Sequence, residues 1–223
     1  MMVFCKDSKL DMQSCKLHKE SSMHFCPLFN SENINSFYIE KEELYEKIKS
    51  GTRVVEFISL KGRDLFFIEA KESAPKKTKI KKPSKIYKEP YPYNETNLDI
   101  NFQNWSSDDF EQWTKWKIKQ DKLESYFQEL YDKMSHSLSL ISAKELNLQK
   151  HINHDIPDGI KGQLAQKEII FLLIIKNKDI TKRVDYAGIL DKLEKKFIPL
   201  KQIWDIKIRI YDNEQAKKKG FIA

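Results

Sequence analysis

The sequence contains very little glycine, and this excludes two common kinds of nucleotide site. Only six of the 223 residues are glycine. Neither the G-x-G-x-x-G pattern of dinucleotide-binding domains nor the G-x-x-x-x-G-K-[ST] pattern of P-loops occurs. Both patterns use glycine to bring backbone N–H groups close to phosphates. Nucleotide binding of these two types is therefore excluded.

Long apolar runs and paired cysteines are also missing. No stretch of about eighteen apolar residues occurs, so we expect neither a membrane span nor a membrane partner. Residues 1–20 are charged throughout and lack the apolar centre of a signal peptide, which predicts a cytoplasmic protein. The three cysteines form no C-x-x-C pair, so they are expected to be free thiols rather than zinc ligands.

Charge is abundant, with a small excess of basic residues. Lysine and arginine total 40 against 33 acidic residues, a formal net charge of +7 at pH 7. Seven lysines lie close together in a segment that prolines interrupt: Lys76, Lys77, Lys79, Lys81, Lys82, Lys85 and Lys88. We expect an extended loop there, either solvated or in contact with the phosphates of a nucleic acid through Lys76, Lys77, Lys81 and Lys82.

The rest of the chain alternates between strand and helix patterns. Residues 1–35 are expected to be irregular, and residues 36–223 to form one domain with an insertion at 76–118. The predicted elements are a strand at 36–40, a helix at 42–49, a hairpin at 53–59 and 64–71, a helix that Ser106 caps, a second helix through 123–141, a buried parallel strand at 168–175, a helix at 184–197, a strand at 203–211 and a tail helix at 213–219. This order is typical of an α/β fold with crossover helices on a mixed central sheet.

Two glutamates interrupt the apolar strands of the predicted hairpin. Glu56 lies inside the first strand, and Glu69 lies inside the second, with Lys71 two residues further on. With residues 61–62 as the turn, the predicted register places Glu56 opposite Phe67 and diagonal to Glu69. Because side chains alternate along a strand, Glu56, Glu69 and Lys71 are predicted to share one face.

Two carboxylates on one face repel each other unless a cation lies between them. Mg²⁺ prefers oxygen ligands and retains several waters, so two glutamates suit it. A lysine on the same face can orient a water molecule or stabilise negative charge that develops on a phosphate. For such a repelling pair, Glu69→Gln is expected to leave the metal-free protein no less stable. The alternative is a structural ion pair between Glu69 and Lys71 on a solvent-facing strand.

The hairpin resembles the core motif of the PD-(D/E)XK nuclease superfamily. That superfamily places an acid in one strand and Glu-x-Lys in the next, and here the same order is Glu56 followed by Glu69-Ala70-Lys71. The segments EFI and FIEAK, the latter followed after one further residue by Ser73-Ala74-Pro75, are similar to those of a bacterial branch of the superfamily. The resemblance covers roughly residues 36–211 and implies a restriction-endonuclease-like core with a helical, Lys-rich insertion.

The resemblance implies a metal-dependent nuclease that acts on DNA or RNA. Glu56 and Glu69 would bind Mg²⁺ or Mn²⁺, with the Ala70 carbonyl as a further ligand, and Lys71 would assist the attacking water. In such enzymes an acid from the first helical region joins the metal shell, and Glu40 is the candidate here.

A polar residue of the crossover helix also faces the metal centre in these nucleases, which suggests Lys133. The superfamily usually has Asp at the first acidic position, where this chain has Glu56. That difference favours an alternative, in which the same fold binds nucleic acid or a protein partner without catalysing a reaction. A third alternative is a structural α/β protein with no polyanionic partner.

Overall fold

The computed structural model describes residues 51–75, 105–146, 148, 156, 159–176 and 184–222, together with Ile39 and the backbones of five short strands between residues 18 and 37. The chain divides into two compact units. One comprises residues 1–74 and 127–223, and the other comprises residues 75–126. The predicted insertion at 76–118 falls within the second of these ranges.

The N-terminal part of the chain contains two small antiparallel strand pairs. β1 (His18–Glu20) pairs with β2 (Met23–Phe25), and β3 (Phe29–Asn30) pairs with β4 (Asn33–Ile34). The prediction that residues 1–35 are irregular throughout is therefore wrong. Strands of two or three residues are too short to show the alternation by which a strand is identified in a sequence.

A mixed five-stranded sheet forms the centre of the larger unit. In spatial order its strands are β5 (Ser36–Phe37), β6 (Phe57–Lys61), β7 (Asp64–Lys71), β8 (Glu168–Ile175) and β9 (Lys207–Asp212). β5, β6 and β7 pair antiparallel, whereas β7, β8 and β9 pair parallel. The predicted α/β class with a mixed sheet is confirmed.

Four α-helices occur in the described part of the chain: α1 (Ser107–Glu145), α2 (Tyr186–Lys196), α3 (Ile198–Trp204) and α4 (Asn213–Lys218). α1 follows β7 and precedes β8, while α2 and α3 lie between β8 and β9, so each parallel pair has a helical crossover. None of these helices is both long enough and apolar enough to cross a membrane.

The long helix α1 replaces two helices that were predicted separately. It begins as expected, because the Asp109 N–H donates to Ser106 Oγ at 3.2 Å and the Ser106 N–H donates to Asp109 Oδ2 at 3.0 Å. It then continues for 39 residues to Glu145. No glycine or proline occurs between Tyr93 and Ile156, so nothing in the sequence ends the first helix before the second begins.

Strand β8 has its predicted boundaries, whereas β9 begins later than predicted. β8 is buried along nearly its whole length, as expected for a central strand that is covered on both faces. The predicted strand at 203–211 overlaps the end of α3 at Trp204. Apolar residues alternate from Trp204 to Ile210 across this boundary, so the period-two pattern hides it.

The turn of the β6–β7 hairpin comes one residue later than predicted. Gly62 and Arg63 form the turn, and Gly62 has a φ of 64°, a left-handed conformation that glycine adopts without a Cβ clash. Ile58 therefore pairs with Phe67 rather than with Leu65. The register differs from the prediction by two residues, and because side chains alternate with a period of two, each one keeps its predicted face.

The two faces of the sheet pack against different parts of the chain. One face forms an apolar cluster with the C-terminal residues, consisting of Phe57, Phe66, Ile68, Ala70, Ile170, Leu172, Ile174, Ala216, Phe221 and Ile222. On the other face, Phe171 packs on Phe197 with ring centroids 5.0 Å apart, and Phe197 packs on Tyr131 of α1 at 5.8 Å. Glu69 and Lys71 alternate with members of the first cluster, so they lie on this second face with α1.

Candidate active site

Glu56 and Glu69 meet on the second face of the sheet. Glu69 lies within β7, and Glu56 immediately precedes β6, so extending the hairpin register by one residue places the two opposite each other. Both are buried, with 3% and 0% of their surface exposed. The Ala70 N–H donates a hydrogen bond to Glu56 Oε2 at 2.7 Å. The predicted diagonal arrangement is therefore replaced by a direct one, on the predicted face.

Two lysines neutralise this pair of carboxylates. Lys71 Nζ lies 2.8 Å from Glu69 Oε1. Lys133 Nζ, which α1 supplies, lies 2.9 Å from the same oxygen and 3.5 Å from Glu56 Oε1. A buried charge costs several kcal/mol unless an opposite charge compensates it. The structure thus brings together four of the residues that the sequence singled out, namely Glu56, Glu69, Lys71 and Lys133.

A third carboxylate, Glu129, completes the cluster and was missed by the sequence analysis. Lys71 Nζ donates to Glu129 Oε1 at 2.7 Å. The side chains of Glu129 and Lys71 are 34% and 21% exposed, so they form the solvent-facing edge of the cluster. Glu129 lies one turn before Lys133, and this helical spacing is the signal that identifies it once Lys133 is placed at the site.

Burial and mutual repulsion raise the pKa of the Glu56 carboxyl well above its ordinary value. Burial contributes most, followed by the neighbouring charge of Glu69, and these outweigh Lys133 and the Ala70 N–H, which act in the opposite direction. A proton on Glu56 also supplies a hydrogen bond between the two carboxyls. In the metal-free protein the site therefore favours a protonated Glu56.

The two lysines and Glu129 are held in their charged forms. Burial alone lowers the pKa of Lys71 and of Lys133, but the attraction of Glu69 is stronger and raises both. Burial likewise raises the pKa of Glu129, but its contacts with Lys71 lower it below the ordinary value. The five groups together carry three carboxylates and two ammonium groups, or no net charge once Glu56 is protonated.

Helix α1 also holds the segment that carries Glu56. The Val55 N–H donates to Ser137 Oγ at 2.9 Å, and the Arg53 N–H donates to His136 Nδ1 at 3.0 Å. Ser137 Oγ in turn donates to the Lys133 carbonyl at 2.7 Å. Because the segment precedes β6 and lacks strand pairing there, these side chains replace the missing ladder partners and fix the backbone immediately before Glu56.

Ser137→Ala is expected to lower the free energy of unfolding by about 1–3 kcal/mol, because it leaves the Val55 N–H without its partner. Ser139→Ala is the matched control, since the Ser139 hydroxyl bonds only the helix backbone, at the carbonyl of Ser135, and the side chain is exposed. Urea denaturation of both variants measures the difference. Equal and small losses in the two variants would contradict this role of Ser137.

The donor set suits a hard divalent cation. When both glutamates are ionised, the buried Glu69 Oε2 accepts no hydrogen bond from any residue that the structure describes. Buried polar atoms are rarely left unpaired, so this oxygen is available to a ligand. Among the described residues, no group of three or more His, Cys, Asp or Glu side chains is arranged to hold a metal. Two carboxylates nevertheless suffice for Mg²⁺, which binds proteins through few groups and keeps its waters.

Several predicted site residues lie outside the part of the chain that the structure describes. They are Glu40 and the loop lysines Lys76, Lys77, Lys81 and Lys82. Ala70 is described and buried, and its N–H rather than its carbonyl is the group seen in contact with Glu56. The predicted roles of these residues remain predictions.

No protein-family model matches the chain, no curated protein is significantly similar to it, and no solved structure matches it. The resemblance to the PD-(D/E)XK superfamily therefore depends on the hairpin motif and on the order of the elements around it. The chemistry of the cluster formed by Glu56, Glu69, Lys71, Glu129 and Lys133 is the remaining guide to function.

Proposed function

We propose that this protein is a metal-dependent phosphodiesterase that cleaves DNA or RNA. The observation that supports it most is the convergence of Glu56, Glu69 and Lys71 on one face of the hairpin, where a buried Glu69 oxygen is unpaired when both glutamates are ionised. Charged groups are costly to bury, and buried ionisable groups with strongly shifted pKa values cluster at functional sites. Two carboxylates beside a lysine match the chemistry of hydrolysing a phosphodiester.

The order of elements gives further support. An acid enters the first hairpin strand, Glu-x-Lys lies on the second, a crossover helix follows, and a parallel strand pairs with the second hairpin strand. This is the order that the resemblance to restriction-endonuclease-like nucleases implies. The crossover helix contributes Lys133 to the cluster, as the resemblance also implies.

In this proposal Glu56 and Glu69 hold Mg²⁺ or Mn²⁺, with the Ala70 carbonyl as a further candidate ligand. When bound, the cation would polarise a phosphoryl oxygen and make water more acidic. Lys133 keeps the Glu69 carboxylate oriented through the contact at 2.9 Å. Lys71 lies at the exposed edge, where its ammonium can orient the attacking water and stabilise charge that develops on the phosphate.

The test is a cleavage assay with Mg²⁺ or Mn²⁺ on single- and double-stranded DNA and RNA. The parent should cleave at least one of these substrates, and Glu69→Ala should abolish cleavage, because both the cation and Lys71 lose their shared carboxylate. Asp132→Asn is the matched control: Asp132 is a carboxylate of α1 whose partner is Gln128, and its loss should leave cleavage intact. Metal-independent cleavage, or cleavage that Glu69→Ala retains, would contradict the proposal.

The lysine-rich loop is the proposed contact with the nucleic-acid backbone. Changing Lys76, Lys77, Lys81 and Lys82 to Ser should weaken nucleic-acid binding without sequence bias and make it less dependent on salt. Four lost phosphate contacts would reduce the slope of log K against log salt by up to about four. Fluorescence anisotropy over a salt series measures this slope, and an unchanged slope would show that the loop is only solvated.

A catalytically silent module is the second candidate, and one observation favours it. Lys71 and Lys133 already neutralise the two buried glutamates, so the cluster is electrostatically complete without a metal. Because both lysines contact Glu69, Glu69→Gln is now expected to destabilise the protein under either candidate. The response to Mg²⁺ separates them: millimolar Mg²⁺ should raise the melting temperature of a metal-binding parent and leave a silent module unchanged.

A further inference from the structure

The ammonium of Lys71 is shared between two carboxylates of different exposure. Its Nζ lies 2.8 Å from Glu69 Oε1, which is fully buried, and 2.7 Å from Glu129 Oε1, at the exposed edge. Lys133 Nζ lies 2.9 Å from the same Glu69 oxygen. A carboxylate oxygen that already contacts two ammonium groups has little room for a third cation. A divalent ion bound at the unpaired Oε2 of the same carboxylate would lie close to both ammonium groups, and repulsion between the cations favours the movement of at least one lysine away from Glu69.

Lys71 is the lysine that can move at lower cost. Lys133 is 8% exposed and bridges both buried glutamates, whereas Lys71 lies at the edge and already has Glu129 as a second partner. A dication repels a neighbouring ammonium at short range. An ammonium that keeps one carboxylate while it leaves another avoids the cost of an unpaired charge in a partly buried position.

We propose that Glu129 is a positioning residue, which takes over the Lys71 ammonium from Glu69 when a divalent cation binds and holds it at the exposed edge of the cluster. This inference rests on the proposed function, because it assumes that Glu69 is a metal ligand. Glu129 thereby keeps Lys71 near an incoming phosphodiester and prevents it from competing for Glu69. Glu129 has no contact with the proposed ligands that the structure records, so its effect on metal binding has to pass through Lys71.

A double-mutant cycle on Mn²⁺ affinity tests whether Glu129 affects metal binding through Lys71. Isothermal titration calorimetry with Mn²⁺ alone is applied to the parent, to Glu129→Gln, to Lys71→Met and to the double variant. In Glu129→Gln, Lys71 has only Glu69 as a partner, so Mn²⁺ affinity should fall by about tenfold. In Lys71→Met the competing ammonium is absent, so affinity should equal or exceed that of the parent.

The decisive comparison is between Lys71→Met and the double variant, whose affinities should agree within about twofold. Asp132→Asn, which removes the same charge from the same helix at a side chain that accepts from Gln128, should also stay within about twofold of the parent. Lys71→Gln replaces Lys71→Met if the latter fails to fold. A tenfold loss that persists without Lys71, or that Asp132→Asn reproduces, would overturn the inference.

The outcomes separate this inference from the proposed function. Mn²⁺ binding with the expected coupling but without nucleic-acid cleavage would contradict the proposed function and support the inference. Metal-dependent cleavage with additive effects of the two substitutions would support the function and overturn the inference. A parent that binds no Mn²⁺ would overturn both.

Discussion

Replacing Lys133 by Met is expected to lower the free energy of unfolding by about 3–5 kcal/mol at neutral pH. The substitution keeps most of the length of the side chain and removes its charge. It leaves Glu56 and Glu69 facing each other in a buried position, and of these two glutamates only Glu69 then has a lysine contact, from Lys71. The loss should shrink at acidic pH, where protonation removes the repulsion. Chemical denaturation at two pH values measures both effects.

Lys122→Met is the matched control for this substitution. Lys122 belongs to the same helix and is exposed, so its replacement should change stability by no more than about 0.5 kcal/mol. Mg²⁺ offers a second check, because a dication compensates the two glutamates in place of the lost ammonium. Millimolar Mg²⁺ should therefore stabilise Lys133→Met more than it stabilises the parent. If Lys133→Met lowers the free energy of unfolding by less than about 1 kcal/mol, the loss is typical of exposed ion pairs. That result would show that water reaches the cluster.

The stability of the metal-free protein should fall as the pH rises above the ordinary pKa of a glutamate. The folded state raises the pKa of Glu56, so it binds this proton more tightly than the unfolded chain does. The resulting stabilisation is complete when the pH is below the pKa of this glutamate in the unfolded chain, about 4.5. It is lost as the pH rises through the pKa of Glu56 in the folded protein. Within that window a single proton changes the free energy of unfolding by at most about 1.4 kcal/mol per pH unit.

Glu56→Gln isolates this contribution. A glutamine resembles the protonated carboxyl and can still accept a hydrogen bond from the Ala70 N–H. The stability of Glu56→Gln should therefore not fall as the pH rises through the folded pKa of Glu56. Above that pKa the variant should be more stable than the parent. Glu129→Gln is the opposing control, because contacts with Lys71 lower the pKa of Glu129. Its contribution to stability is present above the unfolded value and lost as pH falls, so that variant should be less stable than the parent at neutral pH. Parallel pH profiles of the parent and Glu56→Gln would contradict the placement of Glu56 in a buried pair.

The faces of the hairpin were predictable from the sequence, although its pairing was not. Residues 61–62 were assigned to the turn, whereas Gly62 and Arg63 form it. That difference shifts the register by two residues. Each side chain keeps its face of the sheet, but its cross-strand partner changes. The shared face of Glu56, Glu69 and Lys71 therefore survived, and the distance between the two glutamates became shorter than expected.

Contacts between distant parts of the chain were not predictable in the same way. Glu129 and Ser137 lie in a segment that the sequence predicts as helix, but its apolar pattern does not say which strands this helix contacts. Lys133 is suggested as a site residue by the family resemblance and not by the sequence pattern of its helix. The cost of burying Glu69 between two lysines depends on this packing, which is why the expected stability of Glu69→Gln is reversed.

We propose that Glu56 and Glu69 together hold a divalent cation. Anomalous X-ray diffraction from a crystal of the protein soaked in Mn²⁺ tests it most directly. We predict an anomalous peak at a position that carboxylate oxygens of both Glu56 and Glu69 coordinate, with Lys71 displaced toward Glu129, and no such peak in a Glu69→Gln crystal. A Mn²⁺ soak that leaves Lys71 and Lys133 on Glu69, with no anomalous density between the two glutamates, would contradict the claim.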